Sequence, residues 1–105
     1  MSQGRVIFDP KRSGETVTLQ FDFASRLAVG ETISTQSVAA SVYSGTDASP
    51  SAIISGSATA SGTVDSQKIT AGTIGVTYSL ACTITTSAGQ TLLMVGFLAV
   101  IPNVT

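Results

Sequence analysis

Histidine and tryptophan are absent from this 105-residue chain, and cysteine occurs once. Without histidine there is no Ser-His-Asp or Cys-His arrangement and no histidine-ligated metal. The lone thiol, Cys82, cannot close an intrachain disulfide, nor form a zinc knuckle or a Cys-x-x-Cys redox pair. Charge is scarce as well: 10% of residues are Asp, Glu, Lys or Arg, against about 25% in ordinary domains. The six carboxylates, Asp9, Glu15, Asp22, Glu31, Asp47 and Asp65, are scattered and match no calcium-loop spacing. The glycines punctuate turns and form no phosphate-binding loop. A net charge of −1 gives no bulk field to draw nucleic acid or an anionic membrane. The longest apolar run, Leu92 to Ile101, is ten residues and contains Gly96, about half of what a spanning helix needs. Met1-Ser2-Gln3-Gly4-Arg5 has no apolar core for a cleavable signal peptide. The expectation is a non-enzymatic chain with no catalytic, cofactor-binding or metal residues and no nucleic-acid or membrane partner.

What is present is period two. Val76, Tyr78, Leu80, Cys82 and Ile84 alternate with small or hydroxylated residues, the pattern of a strand with one face on a core. A turn at Ser87-Ala88-Gly89-Gln90 leads into the run from Leu92 to Ile101, so the pair reads as a β-hairpin. Earlier, Val17, Leu19, Phe21 and Phe23 alternate with Thr18, Gln20 and Asp22, and Val38, Ala40 and Val42 alternate up to Tyr43. A short strand follows around Ile53 and Ile54. Val64 and Ile69 are five apart, so a strand through both carries a bulge or turns one of them outward. Six to eight short strands separated by turn signals, with no capped 3.6 period, predict an all-β fold: an immunoglobulin-like antiparallel β-sandwich. Tyr78 near the start of the penultimate strand suits a hydroxyl bonded back to the preceding corner; a plain core tyrosine is the other reading. Cys82 shares the inward face of its strand and reads as a buried, inert thiol.

Residues 1–14 read as an N-terminal extended arm and residues 15–105 as the sandwich domain. Pro10 forbids a central-strand role for the arm, and Gly14 marks a turn. Within it Val6, Ile7 and Phe8 are apolar, either as an edge strand or plug over the core or as a docking segment for another chain. The arm is expected to be mobile in the isolated subunit and ordered in an assembly. The last strand is apolar on both faces, with Leu92, Met94, Leu98 and Val100 on one and Leu93, Val95, Phe97, Ala99 and Ile101 on the other. A two-layer sandwich buries one such face, so the other needs a cover. Val6, Ile7, Phe8, Leu93, Val95, Phe97 and Ile101 are therefore the expected partner interface. Eight of the eleven charged residues lie in positions 1–31. The nearly uncharged remainder suits dense packing beside other subunits.

Phe8-Asp9-Pro10-Lys11, Gly30-Glu31-Thr32-Ile33-Ser34 and the block Val42-Tyr43-Ser44-Gly45-Thr46-Asp47-Ala48-Ser49-Pro50-Ser51-Ala52 resemble a family of short tailed-phage virion proteins, the phage fiber-tail adaptors. Gly75-Val76-Thr77-Tyr78 and Thr85-Thr86-Ser87-Ala88-Gly89-Gln90-Thr91-Leu92 continue the resemblance, so it spans nearly the whole chain. It implies a small structural subunit, localised to the virion after assembly in the host cytoplasm, that joins a fibre or appendage to the tail or neck. Its partners would be tail, neck or fibre subunits and further copies of itself, and no catalytic residues carry over. A second reading is a capsid or tail decoration module with weak host-glycan binding, for which Tyr43 is the candidate stacking residue.

Overall fold

The computed structural model describes residues 5–103. Eight strands run in the order β1 (Arg5–Ile7), β2 (Lys11–Arg12), β3 (Val17–Asp22), β4 (Ile33–Ser44), β5 (Ile54–Ser61), β6 (Val64–Ile69), β7 (Thr77–Thr86) and β8 (Thr91–Ile101). Short 3₁₀ turns occupy Ala24–Arg26 and Pro50–Ile53. One sheet has the order β1-β8-β7-β4, with β2 also pairing β8; the other has the order β3-β6-β5. The expected all-β, two-sheet sandwich is the observed fold.

The β7–β8 hairpin anchors it. β7 alternates half-buried and buried residues along its whole length, and Tyr78, Leu80, Cys82 and Ile84 are buried in the core. β8 adds Met94, Leu98 and Val100 from its inward face. Leu19, Phe21, Phe23, Ile53 and Ile69 close the core from the second sheet and its flanking turns. Fully burying one such side chain contributes roughly 1.5–3 kcal/mol, so this shared layer holds the two sheets together.

Two polar groups inside β6 are not marked by the apolar pattern. In β6 the inward positions are Asp65, Gln67 and Ile69, while Val64 is only half-buried. There is no bulge at Val64–Ile69 against β3; two polar residues simply take inward places. The Gln67 amide donates to the carbonyls of Ser55, Gly56 and Lys68 at 3.0–3.3 Å. The Cys82 thiol donates to Asp65 Oδ2 at 2.9 Å, while Asp65 Oδ1 has no partner. Burial pushes the Asp65 carboxyl above its ordinary value. Burial and that carboxyl also push the Cys82 thiol far up, so it stays protonated. The thiol is buried and lacks the thiolate character that reactivity needs.

Tyr78 forms the corner expected of it. Its hydroxyl accepts from the Thr73 N–H at 2.8 Å and donates to Asp47 Oδ2 at 2.6 Å. Asp47 also accepts from the Ser49 N–H at 2.9 Å, closing the turn into Pro50. These bonds hold the Asp47 carboxyl below its ordinary value, the tyrosine hydroxyl most of all. The opposite end is tied by Glu31, whose carboxylate accepts from Thr86 Oγ1 at 2.5 Å and from the Ala28 N–H at 2.9 Å. The Glu31 carboxyl is likewise held low, chiefly by the threonine hydroxyl.

Candidate partner-binding surface

From residue 5 onward the arm lies along the β8 edge of the larger sheet. β1 pairs β8 in parallel, with Arg5 opposite Val95, Val6 opposite Gly96 and Ile7 opposite Phe97. β2 continues the pairing, with Lys11 opposite Val100 and Arg12 opposite Ile101. Paired residues share a face, so this register decides what each arm residue does.

Phe8 turns inward. Its ring stands edge-on to Phe21 at 5.4 Å between centroids. It fills the room left by Gly96, where an added Cβ would overlap the ring. Val6 packs against the same core. Lys11 is buried, and its ammonium donates to the carbonyls of Arg12 at 2.9 Å, Ser13 at 3.3 Å and Ala71 at 2.5 Å. Those three bonds use all three ammonium protons. Burial lowers the Lys11 pKa from its ordinary value. Ala71 sits at φ 53°, a left-handed conformation that costs a non-glycine residue about 1–2 kcal/mol. It directs its carbonyl at the lysine.

The outward positions form a different surface. Ile7 is 75% exposed, Tyr43 66% and Leu93 49%. Val95, Phe97 and Ile101 are half-buried on the same outer face. The Tyr43 and Phe97 rings meet at 4.7 Å. Ile7, Phe8, Pro10, Tyr43, Thr77, Phe97 and Ala99 line an apolar groove of about 330 Å³. Of the seven residues singled out in the sequence, the fold brings Ile7, Leu93, Val95, Phe97 and Ile101 to this face. Val6 and Phe8 go to the other side of the sheet. Tyr43, read in the sequence as a glycan-stacking candidate, also belongs to this surface. It follows inward-facing Val42 in β4, so strand alternation points it outward.

The rim is basic. Arg26 donates to the Leu93 carbonyl at 2.7 Å and Arg12 to the Pro102 carbonyl at 2.8 Å. Among the described residues no group of three or more Asp, Glu, Cys or His side chains is placed to hold a metal. No helix there is long and apolar enough to cross a membrane.

No curated protein and no solved structure matches the chain. Residues 11–95 match the family described as podophage GP4 fiber-tail adaptor protein gp77. The matched span holds Lys11, the Asp47–Tyr78 corner, β7 and β8 as far as Val95, while Ile7, Phe97 and Ile101 lie outside it. A small sandwich with an apolar outer sheet face and most of its length within that match belongs to the podophage GP4 fiber-tail adaptor family, a family of phage structural proteins.

Proposed function

We propose that this chain is an oligomeric, non-enzymatic adaptor of the virion, joining a fibre or appendage to the tail or neck through the outer face of the β1-β8-β7-β4 sheet. The observation that carries the reading is the apolar groove beside Tyr43 and Phe97, continuous with exposed Ile7 and Leu93. A contiguous apolar surface on a small domain marks an interaction site, and aromatic anchors dominate such interfaces. The family supplies the class of partner, which is other tail and fibre proteins. The strand order supports an immunoglobulin-like module: β3-β6-β5 packs against β8-β7-β4 as the corresponding strands do in that fold. Attachment that is mainly apolar should depend little on salt.

The test is Ile7→Lys together with Phe97→Lys. Both residues are on the outer face, so the double variant should fold and stay soluble while its copy number in purified particles falls at least tenfold. Normal incorporation would remove this face from the attachment. The exposure of Tyr43 at a groove favours one alternative, a glycan-stacking site on a decoration module. Glycan-array binding by virions that is lost on Tyr43→Ala, with incorporation unchanged, would select it.

A further inference from the structure

Among the described residues the smaller sheet ends on β3 (Val17–Asp22), which pairs β6 on one side only. The segment that precedes β3 in sequence does not add to it. β1 and β2 lie on β8 in the other sheet, and between them the arm passes β3 at Phe8-Asp9-Pro10. Proline has no N–H to offer a ladder. The contact of the arm with β3 is through rings, Phe8 on Phe21. A groove of about 450 Å³ is left between the arm and β3, lined by Phe8, Asp9, Lys11, Glu15, Val17 and Leu19 among others.

An unpaired strand edge beside a groove is a template for one more strand. The charge of the groove narrows the occupant. Asp9 and Glu15 are exposed carboxylates on its wall; Glu15 accepts from the Arg12 N–H at 2.8 Å and lies in the field of the Lys11 ammonium, which leaves Asp9 as the carboxylate that a new cation can meet. We infer that β3 receives an extended segment of a different virion polypeptide, one that carries a lysine or arginine opposite Asp9. The added strand makes the three-stranded sheet four-stranded. It satisfies the β3 edge by main-chain hydrogen bonds, and the basic side chain sets its register. The identity of the donor as a virion protein rests on the adaptor reading; the site itself rests on the edge, the groove and its charge. It shares Phe8 and Pro10 with the apolar groove of the outer face and otherwise runs along β3.

The experiment is photo-crosslinking in assembled particles with p-benzoylphenylalanine in place of Gln20, which lines the groove, and in place of Ser61, on β5, as the comparison position. The expected result is a crosslink from position 20 to a different virion protein, within an extended peptide containing Lys or Arg, and at least tenfold less product from position 61. Asp9→Lys, in an otherwise native chain, should lower the copies per particle at least fivefold with an unchanged thermal midpoint. Crosslinking only to another copy of this chain, equal yields from the two positions, or full incorporation of Asp9→Lys would each overturn the inference. If the chain is present in particles and position 20 gives no product, the donated strand alone fails. If the chain is missing from particles, the adaptor reading fails with it.

Discussion

The two outer faces of the sandwich are built from the same backbone geometry and opposite chemistry. Outside β3-β6-β5 the cross-strand partners are Thr18 and Lys68, Ser55 and Lys68, Gln20 and Ser66, Thr59 and Ser66, Asp22 and Val64. A shallow depression of about 300 Å³ there is lined by Thr18, Ser55, Ser57, Thr59, Ser66 and Lys68. Outside β1-β8-β7-β4 lie Ile7, Tyr43, Leu93, Val95, Phe97 and Ile101. Hydroxyl groups keep their hydrogen bonds with water at little cost. Apolar side chains gain only when something covers them. The first face is therefore finished as it stands, and the second leaves apolar area that a partner would gain by covering.

The comparison fails altogether if the shared core fails, which sets the largest effect. Leu80 is fully buried between the faces. Leu80→Ala should cost about 2–5 kcal/mol, read as a shift of the denaturation midpoint by both fluorescence and far-UV circular dichroism. A cost under about 1 kcal/mol would mean that the hairpin is not the anchor.

Gly96→Ala should act on one sheet only. The new methyl overlaps the Phe8 ring, and such overpacking costs about 1–3 kcal/mol. Hydrogen exchange at residues 6–13 should accelerate while β3-β6-β5 keeps its protection. Uniform acceleration in both sheets would show that the arm is not separately docked. Phe8→Ala in the Gly96→Ala background should recover part of the loss, because the clashing ring is gone.

Acidity separates the interior of one sheet from the ends of the other. The folded Asp65 carboxyl binds its proton more tightly than the unfolded chain does. Its stabilisation is complete below the ordinary value of 3.8 and is lost as pH rises through the raised value. Glu31 and Asp47 are held low, so their stabilisation exists above the ordinary carboxylate range and is lost as pH falls through their lowered values. Asp65→Asn keeps the shape and cannot ionise. Its thermal midpoint relative to the native protein should therefore rise between pH 4 and pH 8. A difference that stays flat over this range would mean that Asp65 is not held as the acid.

The smallest effect belongs to the finished face. Thr59→Val, exposed on β5, should change stability by no more than about 0.5 kcal/mol. It should leave incorporation into particles unchanged, in contrast with Phe97→Lys.

The hairpin was legible because β7 keeps period two without interruption, so its inward set Tyr78, Leu80, Cys82 and Ile84 could be read directly; β8 is apolar on both faces, and its outward set Leu93, Val95 and Phe97 was inferred only because one sandwich covers one face. The Tyr78 corner was legible for a related reason: its position in the strand order is itself a signal. Phe8 was not. Three apolar residues in a row carry no period, and what turns Phe8 inward is the missing side chain of Gly96 on a distant strand. Lys11 and Asp65 were hidden by their own chemistry. A charged residue reads as exposed until the acceptors that bury it are known, and the Arg12, Ser13 and Ala71 carbonyls come together only in the fold. The outer face was half legible: its β8 residues were named as an interface, while Tyr43, which alternation from Val42 also points outward, was read only as a glycan candidate.

The parallel pairing of β1 with β8 also fixes how the subunit carries mechanical load. The chain enters β1 beside Val95 and leaves β8 beyond Ile101, so a pull on the two termini in opposite directions runs along the strands. The Phe8 N–H to Phe97 carbonyl bond and the Ser13 N–H to Ile101 carbonyl bond, both 3.0 Å, are then strained together, with the Phe8 ring and the Lys11 ammonium resisting the same slide. Bonds loaded in shear must give way as a group, whereas a hairpin pulled from its open end unzips one rung at a time. A tension applied through the arm is thus met by the whole seam.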